Sequence, residues 1–220
     1  MTWSEPVDLY CERTSAAFWA EPFNAATNIA FLVAAFAAWR MWRRGGSGDL
    51  FVLTLIILAA VVGVGSFAFH TLATRGAILL DVIPIALFVH AYLLFALIRF
   101  VGMRAIPAFA VVVCFFVGAQ ALSRALPDGF LNRSGDYLPV LAALIVVGLL
   151  ARARREGRDI LLAAGVFAVS LVLRTVDLAV CDAVPLGTHF VWHLLNAAVV
   201  YILLRAAVTR HYTKSTISVT

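Results

Sequence analysis

Seven continuous apolar runs constrain this chain more than any other feature: residues 24–42, 50–71, 77–98, 105–126, 137–151, 159–179 and 188–208. A helix needs about 20 apolar residues to cross roughly 30 Å of hydrocarbon, whereas a barrel strand would show about ten residues of alternating polarity. The fifth run is short and is expected to begin inside the 127–137 loop. Composition agrees: 63% of residues are hydrophobic and only 13% charged, about half the charged share of a soluble domain. That excludes a soluble globular enzyme, a disordered chain and a secreted disulfide scaffold. The expected fold is an all-α, seven-helix transmembrane bundle whose short loops make consecutive helices neighbours. We divide it into an N-terminal segment (1–23), the bundle (24–208) and a tail (209–220). The first 20 residues are acidic and aromatic with no basic leader region, so no cleavable signal peptide is expected. The absence of repeats and of paired broken helices argues against a transporter.

Charge asymmetry predicts orientation. With the N-terminus outside, the inside set is Arg40, Arg43, Arg44, Arg99, Arg104, Arg152, Arg154, Arg155, Arg158, Arg205, Arg210 and Lys214; the outside set is Arg13, Arg75, Arg124 and Arg133. Twelve against four predicts N-out and C-in by the positive-inside rule. The net charge of +5 then needs no nucleic acid to explain it.

Ionisable groups inside membrane spans are costly and mark function by default. Ser66 and His70 lie near the outer end of the second run, Asp81 about one turn into the third, and His189 and His193 at the start of the seventh. Arg174 and Asp177 fall near the same level, as do Asn24 and Asn28. Segments far apart in sequence thus deliver polar side chains to one layer. His189 and His193 are four apart and share a helix face, so both imidazoles can reach one ion. Adding His70 makes a three-histidine set with one position open, the catalytic zinc pattern. The pair brings no carboxylate of its own, and Asp81 is the acid at the right depth. Zinc would lower the pKa of a water to about 7, Asp81 would act as base, and Ser66 with zinc would stabilise the oxyanion. The chemistry this would imply is hydrolysis of an amide or ester in a lipid entering from the bilayer.

These residues together resemble the alkaline ceramidase family, within a superfamily of seven-helix membrane hydrolases. The elements that match are YCER, FWAEPFNAATN, GSFAFH, LLD and HFVWH, spanning Asp8 to Asn196. The resemblance implies a zinc enzyme that cleaves ceramide to a sphingoid base and a fatty acid. Its zinc ligands would be His70, His189 and His193, with Asp81 on the zinc water and Ser66 on the carbonyl. It also implies calcium, with Asp8, Glu12 and Glu21 as candidate ligands, oxygen donors suited to a hard cation. Leu9 and Thr14 stand where an Asp and an Asn are expected, and the alternative is a capping, salt-bridged segment. Cys11 and Cys181 fall on the same side of the membrane, and the resemblance likewise points to a bridge between them.

Single residues have plainer readings. His90 has no partner at its depth and reads as structural. Arg174 and Asp177, three apart, read as an intramembrane salt bridge. An adiponectin-type receptor would share the Ser, Asp and three-His layout, but FWAEPFN and the N-out orientation favour the ceramidase branch; a related lipid esterase is the other alternative. The expected partners are the bilayer and a lipid substrate, with no nucleic acid and no obligate protein partner. A single lysine beside abundant Arg and Ala suggests a GC-rich bacterial source. The expected location is then an inner membrane with the site toward the extracytoplasmic leaflet.

Overall fold

A computed structural model describes residues 2–45 and 48–217, with side chains through Thr209. In hydrocarbon a backbone amide finds no water, so an apolar run satisfies its N–H and C=O groups within a helix. Among the described residues the chain does this in eight α-helices: α1 (Pro22–Thr27), α2 (Ile29–Arg44), α3 (Leu50–Leu72), α4 (Arg75–Ala96), α5 (Ala105–Ala125), α6 (Leu138–Leu150), α7 (Arg155–Val176) and α8 (His189–Ile217). They form seven segments long and apolar enough to span a membrane, with α1 and α2 making the first, Pro22–Arg44. The seven expected spans are therefore observed. The fifth is Phe130–Leu150: a 3-10 stretch, Phe130–Tyr137, leads into α6, so the loop supplies part of its length. Helix α8 runs on past Thr209, where the apolar span ends; the last three residues of the expected tail lie outside the described residues.

Among the described residues α2–α3, α3–α4, α6–α7 and α7–α8 pack as consecutive neighbours and α4–α5 touch lightly, whereas α5 and α6 do not pack together; α8 also packs on α2 and α3. The α8 span is the most buried of the seven and α5 the least. Large apolar side chains such as Ile57, Val64, Phe116 and Val172 face outward. In water such a surface would be an aggregation patch; against lipid tails it is neutral.

Two local devices set the register of α3 and α4. Asp49 caps α3 by accepting from the Phe51 and Val52 amides (3.0 and 3.4 Å), and Thr74 caps α4 through the Ala77 amide (3.2 Å). At mid-contact, a Cβ on Gly65 would lie 1.9 Å from the Leu80 carbonyl oxygen. Only glycine permits that approach. It brings Ser66 and Asp81, the residues next in sequence, face to face across the two helices.

The segment before α1 is laced onto the α3–α4 turn. Val7 N donates to Ala73 O (2.8 Å), Arg75 N to Glu5 O (3.0 Å) and Gly76 N to Trp3 O (2.9 Å). A Cys11–Cys181 disulfide ties it to the end of α7. The N-terminal segment therefore covers one end of the bundle.

Candidate metal centre

Under that cover three imidazoles converge. His70 comes from the last turn of α3, His189 and His193 from the first two turns of α8, and their candidate ligand atoms all lie within 4.8 Å of one another. The rings are 4.6–5.3 Å apart between centroids, and all three side chains are buried. Among the described residues this is the one group of three or more His, Cys, Asp and Glu side chains arranged to hold a metal ion.

The surroundings fix two of the rings. His70 Nδ1 lies 2.6 Å from Glu21 Oε2; an ionised carboxylate only accepts, so Nδ1 carries the proton and Nε2 is bare. That Nε2 is buried without a partner. His193 Nδ1 lies 3.0 Å from Thr27 Oγ1, whose own proton goes to the Phe23 carbonyl (2.8 Å). Thr27 therefore accepts from Nδ1–H and leaves the other nitrogen of His193 bare. His189 stacks on Tyr10 (centroids 3.7 Å apart, planes at 19°), and its Nδ1 is likewise buried and unpartnered. Each orphaned buried nitrogen costs about 1–3 kcal/mol. A shared cation would satisfy them together, so the donor set fits a zinc ion.

Glu21 anchors the next layer. Burial opposes its ionisation, but hydrogen bonds from His70, Arg13 and Asn24 outweigh that and hold its carboxyl below the usual carboxylate range. Arg13 is itself buried: Nε pairs with Glu21, and one terminal nitrogen donates to the His70 carbonyl (3.0 Å). Burial pushes the Tyr10 phenol up, well above its ordinary range, which keeps the ring neutral against His189.

The other expected residues are placed as follows. Asp81 and Ser66 line the same cavity as His189 and His193. Ser66 stands beside the Asp81 carboxyl, and Asp81 Oδ1 is buried without a partner. Asp8 is exposed. Glu12 directs both oxygens to backbone amides at the start of α1, Phe23 N (2.6 Å) and Asn24 N (2.8 Å). Glu21 is taken up by Arg13 and His70, and it shares Asn24 with Glu12, which takes the backbone amide while Glu21 takes the side-chain one. His90 Nδ1 bonds the Ala86 carbonyl (2.7 Å) within its own helix.

One pairing is corrected. Arg174 and Asp177 form no salt bridge, because α7 ends at Val176 and Asp177 begins a 3-10 turn. The i, i+3 geometry is lost there. Asp177 instead accepts from Thr188 N (2.6 Å) and His189 N (2.9 Å), capping α8, and from Cys11 N (3.2 Å). Gly187, at φ +61°, leaves room for it: a Cβ there would fall 2.2 Å from Asp177 Oδ1. One carboxylate thereby places the first imidazole of α8 and holds the N-terminal segment. Its reach across eleven residues is invisible to local capping rules. So is the 49-residue separation between Glu21 and His70.

A family model described as Ceramidase matches residues 7–218, nearly the whole chain. The chain belongs to the ceramidase family. No curated protein matches it. The family match and the seven spans together make it a multi-pass membrane hydrolase of the ceramidase type, acting on a lipid amide. The buried histidine triplet is consistent with a metal-dependent ceramidase.

Proposed function

We propose that this chain is a zinc-dependent hydrolase that cleaves ceramide-like lipids to a sphingoid base and a free fatty acid. The observation that carries this reading is the set of bare imidazole nitrogens beside a cavity whose other polar groups include Asp81 and Ser66. Zinc held by His70, His189 and His193 would supply an acidified water, with a pKa of about 7, and a Lewis acid for the carbonyl. Asp81, with Oδ1 free, takes a proton from the attacking water. It then returns that proton to the departing amine as the C–N bond breaks. Ser66, on the same cavity wall, offers its hydroxyl to the carbonyl oxygen as negative charge develops there. Deeper in the cavity, Ala96, Ile160 and Leu203 offer an apolar slot for an acyl chain.

The test is metal analysis of purified protein alongside fatty-acid release from defined N-acyl sphingoid lipids. Zinc is expected in stoichiometric amount, and Asp81→Ala is expected to keep the metal while losing about 10²–10⁴ in turnover. Full activity after exhaustive chelation, or normal turnover by Asp81→Ala, would end this reading. Parallel assays on ester lipids separate an amidase from an esterase.

The charge asymmetry of the loops supports an N-out arrangement in a bacterial inner membrane, with the centre toward the extracytoplasmic side. A C-terminal fusion to a reporter that works only in the cytoplasm is expected to be active.

A further inference from the structure

Calcium, expected beside the zinc ligands from the family resemblance, would need the acids of the N-terminal segment, and the fold commits each of them elsewhere. Asp8 is exposed. Glu12 accepts the Phe23 and Asn24 amides (2.6 and 2.8 Å), one on each oxygen. Glu21 gives Oε1 to the Arg13 Nε, and Oε2 to His70 Nδ1 (2.6 Å) and to the Asn24 amide nitrogen (3.1 Å). Asn24 Oδ1 is buried without a partner, but it is a single neutral oxygen, and the nitrogen of that amide is the atom that faces Glu21. Calcium takes about six to eight oxygens, with charged carboxylates among them. Here it would have to share Glu21 with Arg13, two cations against one buried carboxylate. The residues present do not fit it.

They do fit the arginine. Arg13 is 6% exposed, and each nitrogen of its guanidinium meets an oxygen: Nε the Glu21 carboxylate, one terminal nitrogen the Ser15 carbonyl and the other the His70 carbonyl, the last two at 3.0 Å. A carboxylate with main-chain carbonyls is the donor set that a hard cation recruits. Arg13 fills it with a charge carried by the chain, and its planar fork fixes direction as well as charge. The contacts also converge on the metal centre. His70 donates from its ring to Glu21 and accepts at its own carbonyl from Arg13, so one guanidinium steadies both the backbone and the imidazole of that histidine. Leu9 and Thr14, which stand where the resemblance expects an Asp and an Asn, remove two oxygen ligands that a guanidinium does not need.

We propose that Arg13 is a built-in replacement for calcium. Its guanidinium neutralises Glu21 and holds His70 in place, so the protein keeps its zinc centre with no calcium bound. Arg13 is then a positioning residue that acts through Glu21 and His70. The proposal rests on the zinc reading of the histidines, and its test separates the two.

The full-length, zinc-loaded protein in detergent is placed in buffer freed of calcium by a chelating resin before the protein is added. Calcium is then raised to about 5 mM, above the roughly 10⁻³ M at which the weakest protein calcium modules half-fill. Wild-type protein is expected to hold no calcium in equilibrium dialysis. Its Tm and zinc affinity should stay constant, whereas an ion bound to the folded state would raise Tm. Arg13→Gln should weaken zinc binding about 10–100-fold, the scale of a lost partner behind a ligand. Arg13→Lys, which keeps the charge, should lose less than Arg13→Gln, which keeps a donor without it. In a Glu21→Gln background, Arg13→Gln should add little. One calcium bound per wild-type chain with a higher Tm overturns the proposal, and that measurement needs no variant to fold. Wild-type zinc affinity in Arg13→Gln overturns it too, as does Arg13→Lys no better than Arg13→Gln, or an equal loss with and without Glu21. A protein indifferent to calcium, whose zinc affinity follows Arg13 but which cleaves no N-acyl sphingoid lipid, keeps Arg13 in this role and removes the hydrolase reading.

Discussion

The two ends of the bundle handle charge in opposite ways. At the end covered by the N-terminal segment, Glu12, Arg13, Glu21, Arg174 and Asp177 are all buried with the three histidines. At the other end, ion pairs such as Arg99–Asp49 (3.3 Å) and Arg205–Asp159 (2.9 Å) leave their arginines 41% and 30% exposed. Pairs of the second kind contribute about 0.2–1 kcal/mol and are easily replaced. Buried charges of the first kind cost several kcal/mol each unless every partner is in place. A fold carries such a concentration where it needs fixed polar geometry, and here that geometry surrounds the imidazoles. Charge that is merely present anchors a loop; charge that is buried and oriented marks the working end.

This contrast can be broken in graded steps. The largest effect is expected from His193→Ala, which removes a candidate ligand: metal analysis should show zinc lost and lipid hydrolysis abolished. Gly65→Ala comes next, because its methyl meets the Leu80 carbonyl. Forcing α3 from α4 should cost about 1–3 kcal/mol or more, read as a lower Tm in detergent, and turnover should fall as Ser66 leaves Asp81. Glu21→Gln keeps the shape but weakens the orientation of His70. Zinc affinity is expected to drop about 10–100-fold, measured by competition with a chelator. The smallest change belongs to the opposite end. Arg205→Met should alter stability by no more than about 1 kcal/mol and leave zinc content as it was. A loss of zinc in Arg205→Met as large as that in Glu21→Gln would erase the distinction between the ends.

Much of this was legible in the sequence. Run length alone gave the seven helices, because hydrocarbon thickness and helical rise leave little freedom. The four-residue spacing of His189 and His193, with the depth of His70 and Asp81, pointed to residues that share one end of the bundle. What escaped notice depends on chain reversal. Spacing suggested an Arg174–Asp177 pair, but that holds only while the helix continues, and it stops at Val176. Glu21 and Glu12 read as free oxygen donors until the fold turns Arg13, His70 and the α1 amides toward them. Tyr10 and Thr27 carry no motif, and the fold alone brings them against His189 and His193.

The bond between Cys11 and Cys181 spans 170 residues, and two of the three histidines it helps to enclose, His189 and His193, stand on α8. Arg13 and Glu21 meet His70 as soon as α3 has been made, but Cys11 finds its partner only after Cys181, and the imidazoles of α8 follow that. The metal pocket is therefore completed from segments made far apart in time, and the two thiols can join only once both ends of that long loop are present.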